Sequence, residues 1–160
     1  MSNTQDIAAI SRFLYDEAAF LDCPDLDAWV ELYTEDGTYW MPAAEDQADP
    51  INHISLFYDD RVMMEIRRRN FVHPRAASKD YKVRCSHVIS NVRVAAETNS
   101  ESLIVTSNFQ CVVYYNDKQT LYAGTYRHEL VHFADSFKIR HKRVDLINCD
   151  GVLGSIIIYI

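Results

Sequence analysis

Two short strings in the chain hold residue types that can do chemistry at suggestive spacings. His128-Glu129-Leu130-Val131-His132 matches H-E-x-x-H, in which two histidines bind zinc and the glutamate activates a metal-bound water. That geometry needs a helix, because only there do positions i and i+4 stand one above the other. The surrounding residues Tyr122, Thr125, Tyr126, Val131 and Phe133 favour a strand instead. On a strand the two histidines share a face but lie about 13 Å apart, at a rise of roughly 3.3 Å per residue. Bonds of about 2 Å to a single zinc cannot span that gap. The alternation also turns Glu129 to the opposite face. No glutamate follows it to supply a third ligand, and Lys138 stands where a third histidine would be needed. The string is expected to be strand, with His128 and His132 at a pocket or an interface.

The second string is Cys85-Ser86-His87. C-x-H is one half of a Rieske-type iron–sulfur site, which needs two cysteines and two histidines. The other half, C-x-x-H, is missing: Cys111 is followed by Val112-Val113-Tyr114 and Cys149 by Asp150-Gly151-Val152. A half-site cannot hold the cluster. The chain also has no G-x-S-x-G, no P-loop and no G-x-G-x-x-G. Arg67-Arg68-Arg69 suits a solvated helix end, where cations oppose the helix dipole, or a contact with an acidic partner. The apolar run Ser155-Ile156-Ile157-Ile158-Tyr159-Ile160 must be buried somewhere, on its own sheet or in a subunit interface. The interface is the favoured expectation. No residue is assigned as catalytic, cofactor-binding or metal-ligating.

The elements that would position these groups can be read from periodicity. Residues 4–21 are expected to be helical, with Ile7, Ile10, Leu14, Ala18 and Leu21 at helical spacing and Thr4 as a cap. Pro24 and Asp25 open a second, shorter helix that carries Leu26, Trp29 and Leu32 toward a stop near Asp36-Gly37. Thr38-Tyr39-Trp40-Met41 reads as a strand, residues 43–50 as a loop, and about Ser55 to Arg69 as a third helix before the His73-Pro74 break. From there the period is two. Residues 84–96, 102–115, 120–133 and 137–147 are expected to be strands joined by turns such as Asn116-Asp117 and Asp135-Ser136. Helices first and an antiparallel meander afterwards is an α+β plan.

Composition narrows the class. Residues 1–160 are expected to form one domain, since 48% hydrophobic residues suffice for a core and only 4 Gly and 4 Pro leave no room for a linker. A net charge of −7 argues against nucleic-acid and membrane-surface binding, which need a basic face. No apolar run approaches the ~20 residues of a membrane span. Residues 1–6 are polar and do not read as a signal peptide. Cys23, Cys85, Cys111 and Cys149 are scattered and are expected to be reduced thiols. The expectation is a cytoplasmic protein.

Several strings together resemble the β subunits of aromatic-ring-hydroxylating dioxygenases of the benzoate, anthranilate, biphenyl and naphthalene type. They run from Phe13-Leu14-Tyr15-Asp16-Glu17-Ala18 with Leu21-Asp22, through Leu32-Tyr33-Thr34-Glu35-Asp36 and Tyr39-Trp40-Met41-Pro42, to Asp49-Pro50 and Ile54-Ser55-Leu56. They resume at Arg84 and His87-Val88-Ile89-Ser90-Asn91, then at Ser107-Asn108-Phe109, Tyr122-Ala123-Gly124 and Phe137 to Leu146. The resemblance implies a cone-shaped fold like that of nuclear transport factor 2, with N-terminal helices on a strongly curved antiparallel sheet. It implies that this chain is a non-catalytic subunit stabilising an α3β3 hexamer through contacts with a catalytic α subunit and between β subunits. A Rieske [2Fe-2S] cluster and a mononuclear Fe(II) would then sit on the α subunit, fed from NADH by electron-transfer components, and the reaction would be cis-dihydroxylation of an aromatic ring. The stretch Phe71-Val72-His73-Pro74-Arg75-Ala76 lacks the Trp- and Pro-rich segment expected of biphenyl-type members and leans toward the aromatic-acid branch.

The alternative is a stand-alone isomerase, dehydratase or cyclase on the same cone fold, using an internal acid–base pair. Tyr126, His128, His132 and His87 are its candidate residues. A pure binding module is a third reading. Fold alone does not separate the three.

Overall fold

The computed structural model describes residues 3–72, 82–95 and 101–160, with side chains from Ile7 onward. Thr4, the expected cap, lies within the first helix with its side chain outside the description, and the break at His73-Pro74 lies outside the described residues. Helix α1 (Asn3–Asp22) buries Ile10, Phe13, Leu14, Ala18 and Leu21, whose spacing of three and four makes one apolar stripe. Helix α2 (Leu26–Glu31) starts at Asp25, whose side chain accepts a hydrogen bond from the Ala28 N–H at 3.0 Å. It stops well before Asp36-Gly37. The Leu32 carbonyl already accepts from the Ile139 N–H at 2.8 Å, so strand pairing takes the chain over directly.

Strand β1 (Tyr33–Pro42) is therefore longer than its aromatic centre suggested. The expected helix from Ser55 is also corrected. Residues Ser55–Asp60 form strand β2, paired antiparallel with β1, and only Arg61–Phe71 is helix α3. Ser-Leu-Phe-Tyr is strand-forming sequence, and Asp60 marks the change by accepting from the Met63 N–H at 2.9 Å.

Strands β3 (Arg84–Val94), β4 (Ser102–Tyr115), β5 (Lys118–Phe133) and β6 (Ser136–Leu146) form the expected antiparallel meander. Asn116 and Asp117 both have positive φ, at 49° and 58°, as a two-residue hairpin requires. The six strands lie in the order β2-β1-β6-β5-β4-β3. One expectation fails here: β1 runs parallel to β6, so the sheet is mixed. Parallel neighbours need a crossover, and residues 43–135 lie between these two. Register shifts at Met41/Pro42, Ser90/Arg93 and Glu129/Leu130 are bulges that bend the strands and curve the sheet. Helix α1 packs against β3 and β6 within that curve.

Strands β5 and β6 approach closely at Gly124. A Cβ there would stand 1.9 Å from the Asp145 carbonyl oxygen. Gly124→Ala is expected to cost about 3 kcal/mol, the upper end of ordinary overpacking. Urea unfolding would show it as a lower midpoint at unchanged slope.

The C-terminal run does not point outward. Tyr159 and Ile160 are buried within this chain. The Tyr159 ring stacks on Trp29 at 4.3 Å and meets Tyr39 edge-on at 4.8 Å. Its hydroxyl donates to Asp59 Oδ2 at 2.7 Å. The expectation of an interface is corrected for these two residues, because Trp29, Tyr39 and Phe57 provide an aromatic socket inside the domain.

Candidate functional site

The concave side of the sheet encloses a charged cluster. Glu17 of α1 falls on the same helical stripe as Leu14 and Leu21, so the packing that buries them buries it too. On β6, Lys142 alternates with Val144 and Leu146, all facing inward. His128 of β5 faces the same interior. The three meet: His128 Nε2 donates to Glu17 Oε2 at 2.9 Å, and Lys142 Nζ donates to Oε1 at 2.7 Å. Trp29 Nε1 adds a longer bond to Oε1 at 3.3 Å. Lys142 Nζ also lies over the Tyr126 ring, 4.2 Å from its centroid.

Burial alone would raise the Glu17 pKa, but Lys142 first and His128 second hold it well below the carboxylate range. Burial pushes the Lys142 and His128 pKa values down, against the pull of Glu17. The cluster is a carboxylate held by three donors, His128, Lys142 and Trp29.

A second pair closes the end of α1. Asp22 Oδ1 accepts from His87 Nδ1 at 2.6 Å and from the His87 backbone N–H at 2.9 Å. Burial lowers the His87 pKa while Asp22 opposes it. Asp22, Cys85 and His87 bring three metal-ligand atom types within 4.8 Å of one another, with Cys111 Sγ 3.8 Å from His87 Nδ1. Their present roles do not suit a metal. Both Asp22 oxygens accept from His87, and the Cys85 thiol donates to the Leu21 carbonyl at 3.0 Å. Burial pushes that thiol up to about 12, far from the thiolate a metal needs. All four cysteines are free thiols.

The residues singled out in sequence separate. His128 is in the core, whereas His132 is exposed at the end of β5 with its ring 5.1 Å from Phe137. Glu129 faces outward and contacts Arg140 at 3.4 Å. The zinc-protease reading therefore fails on a strand, as expected. Arg67 and Arg68 are held within the chain, Arg67 by Asp59 and Arg68 by Glu65 and Asp27. Glu17, Lys142 and Asp22 were missed, although the first two sit at core spacing. Of the four principal grooves, one is bordered by Lys142 and another by Tyr126, and none by Glu17, His87 or His128.

The buried groups give a pH prediction. His128 and His87 have folded pKa values below their ordinary 6.5, so the stability tied to their neutral forms is present above 6.5 and is lost as the pH falls. Glu17, depressed from 4.5, adds a second loss below that value. Melting temperature is expected to drop from about pH 6.5 downward and more steeply below about 4.5. In Glu17→Gln the lower limb should be shallower across a pH series of thermal melts.

These features define a class: a small α+β domain whose helices sit in a curved mixed sheet and whose interior pairs Glu17 with His128 and Lys142 and Asp22 with His87, while His87 Nε2, His128 Nδ1 and the Tyr33 and Tyr126 hydroxyls have no partner among the described residues. Comparison with known proteins gives the family. Residues 16–150 match the model described as ring hydroxylating beta subunit. The chain is 32% identical over 151 residues to the benzoate 1,2-dioxygenase subunit beta of Acinetobacter baylyi, covering 91% of this chain and 89% of that one. It is similar to the solved β subunit of benzoate 1,2-dioxygenase from Burkholderia mallei, with 30% identity and a TM-score of 0.78 over 95% of this chain and 96% of that one. A chain of naphthalene 1,2-dioxygenase, solved with indole in the active site, superposes with a TM-score of 0.85 at 15% identity, covering 100% and 88%. That last likeness speaks for the fold alone. The chain belongs to the family of β, or small, subunits of ring-hydroxylating dioxygenases.

Proposed function

We propose that this chain is the non-catalytic small subunit of a cytoplasmic oxygenase that dihydroxylates an aromatic ring bearing a carboxylate. In this reading a larger subunit holds the Rieske cluster and the mononuclear iron, and the two assemble as α3β3. One observation carries the reading. Residues 16–150, most of the chain, match the ring hydroxylating beta subunit family, and the benzoate 1,2-dioxygenase subunit beta is similar over 91% of this chain. A general base needs a free lone pair within reach of a bound substrate, and His87 Nε2 and His128 Nδ1, unpartnered among the described residues, border none of the four principal grooves. Here Tyr159 and Ile160 fill the space beside Trp29 and Tyr39. The carboxylate is suggested by the benzoate 1,2-dioxygenase relatives.

The test is capture of the tagged chain from its native cell, with mass spectrometry and iron analysis. A larger partner in equal amount, carrying the iron, is the expected result. A chain that comes out alone and turns over a small ketone or enol would overturn the proposal. His132→Ala, at an exposed strand end, is expected to leave ring hydroxylation by the assembled oxygenase unchanged.

A further inference from the structure

The outer face of the sheet carries a charge arrangement that the fold itself does not need. Arg127 on β5 stands directly opposite Arg143 on β6. Like charges facing each other across a ladder destabilise it unless something neutralises them. Arg143 is served by its own chain: Nε donates to Asp145 at 2.8 Å and Nη1 to the Gln47 carbonyl at 2.9 Å. Arg127 is exposed and has no ion-pair or hydrogen-bond partner among the described residues.

Arg127 stands where two grooves of about 430 and 410 Å³ meet. The first is lined by Trp40 and Tyr58, cross-strand neighbours on β1 and β2. On β1 the core uses Tyr39 and Met41, both fully buried, and leaves Trp40 to the outer side under the Arg143 guanidinium. The second groove passes Thr125 and Ile147, the latter 81% exposed. Glu45, Asp46 and Asp150 line that groove too, yet none forms an ion pair with Arg127. Tryptophan, tyrosine and arginine are the residue types that carry most binding energy at protein interfaces.

We infer that this face docks the larger oxygenase subunit, which presents an aspartate or glutamate to Arg127 and apolar side chains to Trp40 and Tyr58. The inference rests on the subunit reading above. A two-fold contact between copies of this chain suits the face less well, because it would set identical surfaces together and place Arg127 near its own copy.

The test is co-production of the chain with its cognate large subunit and capture through a tag on the latter. Arg127→Glu is compared with Trp40→Ala and with Ile66→Ser, an exposed position on α3. Circular dichroism and melts establish that each variant folds. Because Arg127 is exposed, its variant keeps the test decisive even where Trp40→Ala fails to fold. Arg127→Glu is expected to weaken retention about ten-fold or more, while Ile66→Ser binds like the wild type. Wild-type chain that is not retained at all would sink the subunit reading and this inference with it. Wild type retained, with Arg127→Glu bound equally well, would overturn the docking face alone. So would an Arg127→Glu chain that binds the large subunit normally but loses self-association in light scattering, which would make the face a contact between copies.

Discussion

Replacing Glu17 by alanine is expected to destabilise the chain by about 3–5 kcal/mol, the cost of breaking a buried ion pair from one side. The substitution would strand the Lys142 ammonium, which is 1% exposed, and leave the Nε2–H of His128 and the Nε1–H of Trp29 without their acceptor. Total stabilities of small domains are about 5–15 kcal/mol, so a large part of the folded population is at risk. The ion pair is not required for folding as such. Glu17→Leu combined with Lys142→Met and His128→Leu should recover most of the loss, because an apolar replacement of similar volume removes the desolvation cost along with the attraction. Urea unfolding of the single and triple variants decides it. A loss of under about 1 kcal/mol for Glu17→Ala would put the cluster in the range of exposed pairs, meaning that water reaches it and the interior is not sealed.

What the sequence discloses about this molecule depends on how local the signal is. The stripe of α1, the Asp25 cap and the Asn116-Asp117 turn are encoded within a few residues, and each is found where periodicity puts it. The parallel contact between β1 and β6 has no such signature, because no turn joins the two strands. The expected third helix begins too early because Leu56 and Phe57 fit a helical face as well as a strand. The central cluster was half legible. His128 stood out through the H-E-x-x-H string, but its partner Glu17 is 111 residues away and Lys142 a further 14 beyond His128. A glutamate at the i+3 position from Leu14 and i−4 from Leu21 is a signal in hindsight, as is a lysine alternating with Val144 and Leu146. A charge at a core position either ruins a core or has a partner there, and only the fold names the partner. Asp22 belongs to a string that carries the family resemblance, but its bond to His87 depends on the way α1 lies over β3.

The C-terminal segment offers the other large effect. A chain ending at Ile158 is expected to lose about 3–5 kcal/mol, as for removal of a buried aromatic side chain. The loss has three parts. The Tyr159 ring leaves its stack on Trp29 and opens a cavity beside Tyr39 and Phe57. The buried Asp59 carboxylate loses the Tyr159 hydroxyl and, among the described residues, keeps Arg67 alone. The Tyr39 hydroxyl loses the Ile160 carbonyl at 3.1 Å. Tyr159→Phe isolates the second part and should cost about 1–3 kcal/mol, because the unmade bond is to a buried charged acceptor. The comparison also separates core from interface. Suppose the shortened chain melts like the wild type yet fails to bind the large subunit. Tyr159 and Ile160 would then act across the assembly, and the burial seen within one chain would be incidental. If melting falls first and binding only in proportion to the folded fraction, the segment is a plug for this domain. Its apolar character is then explained without any partner.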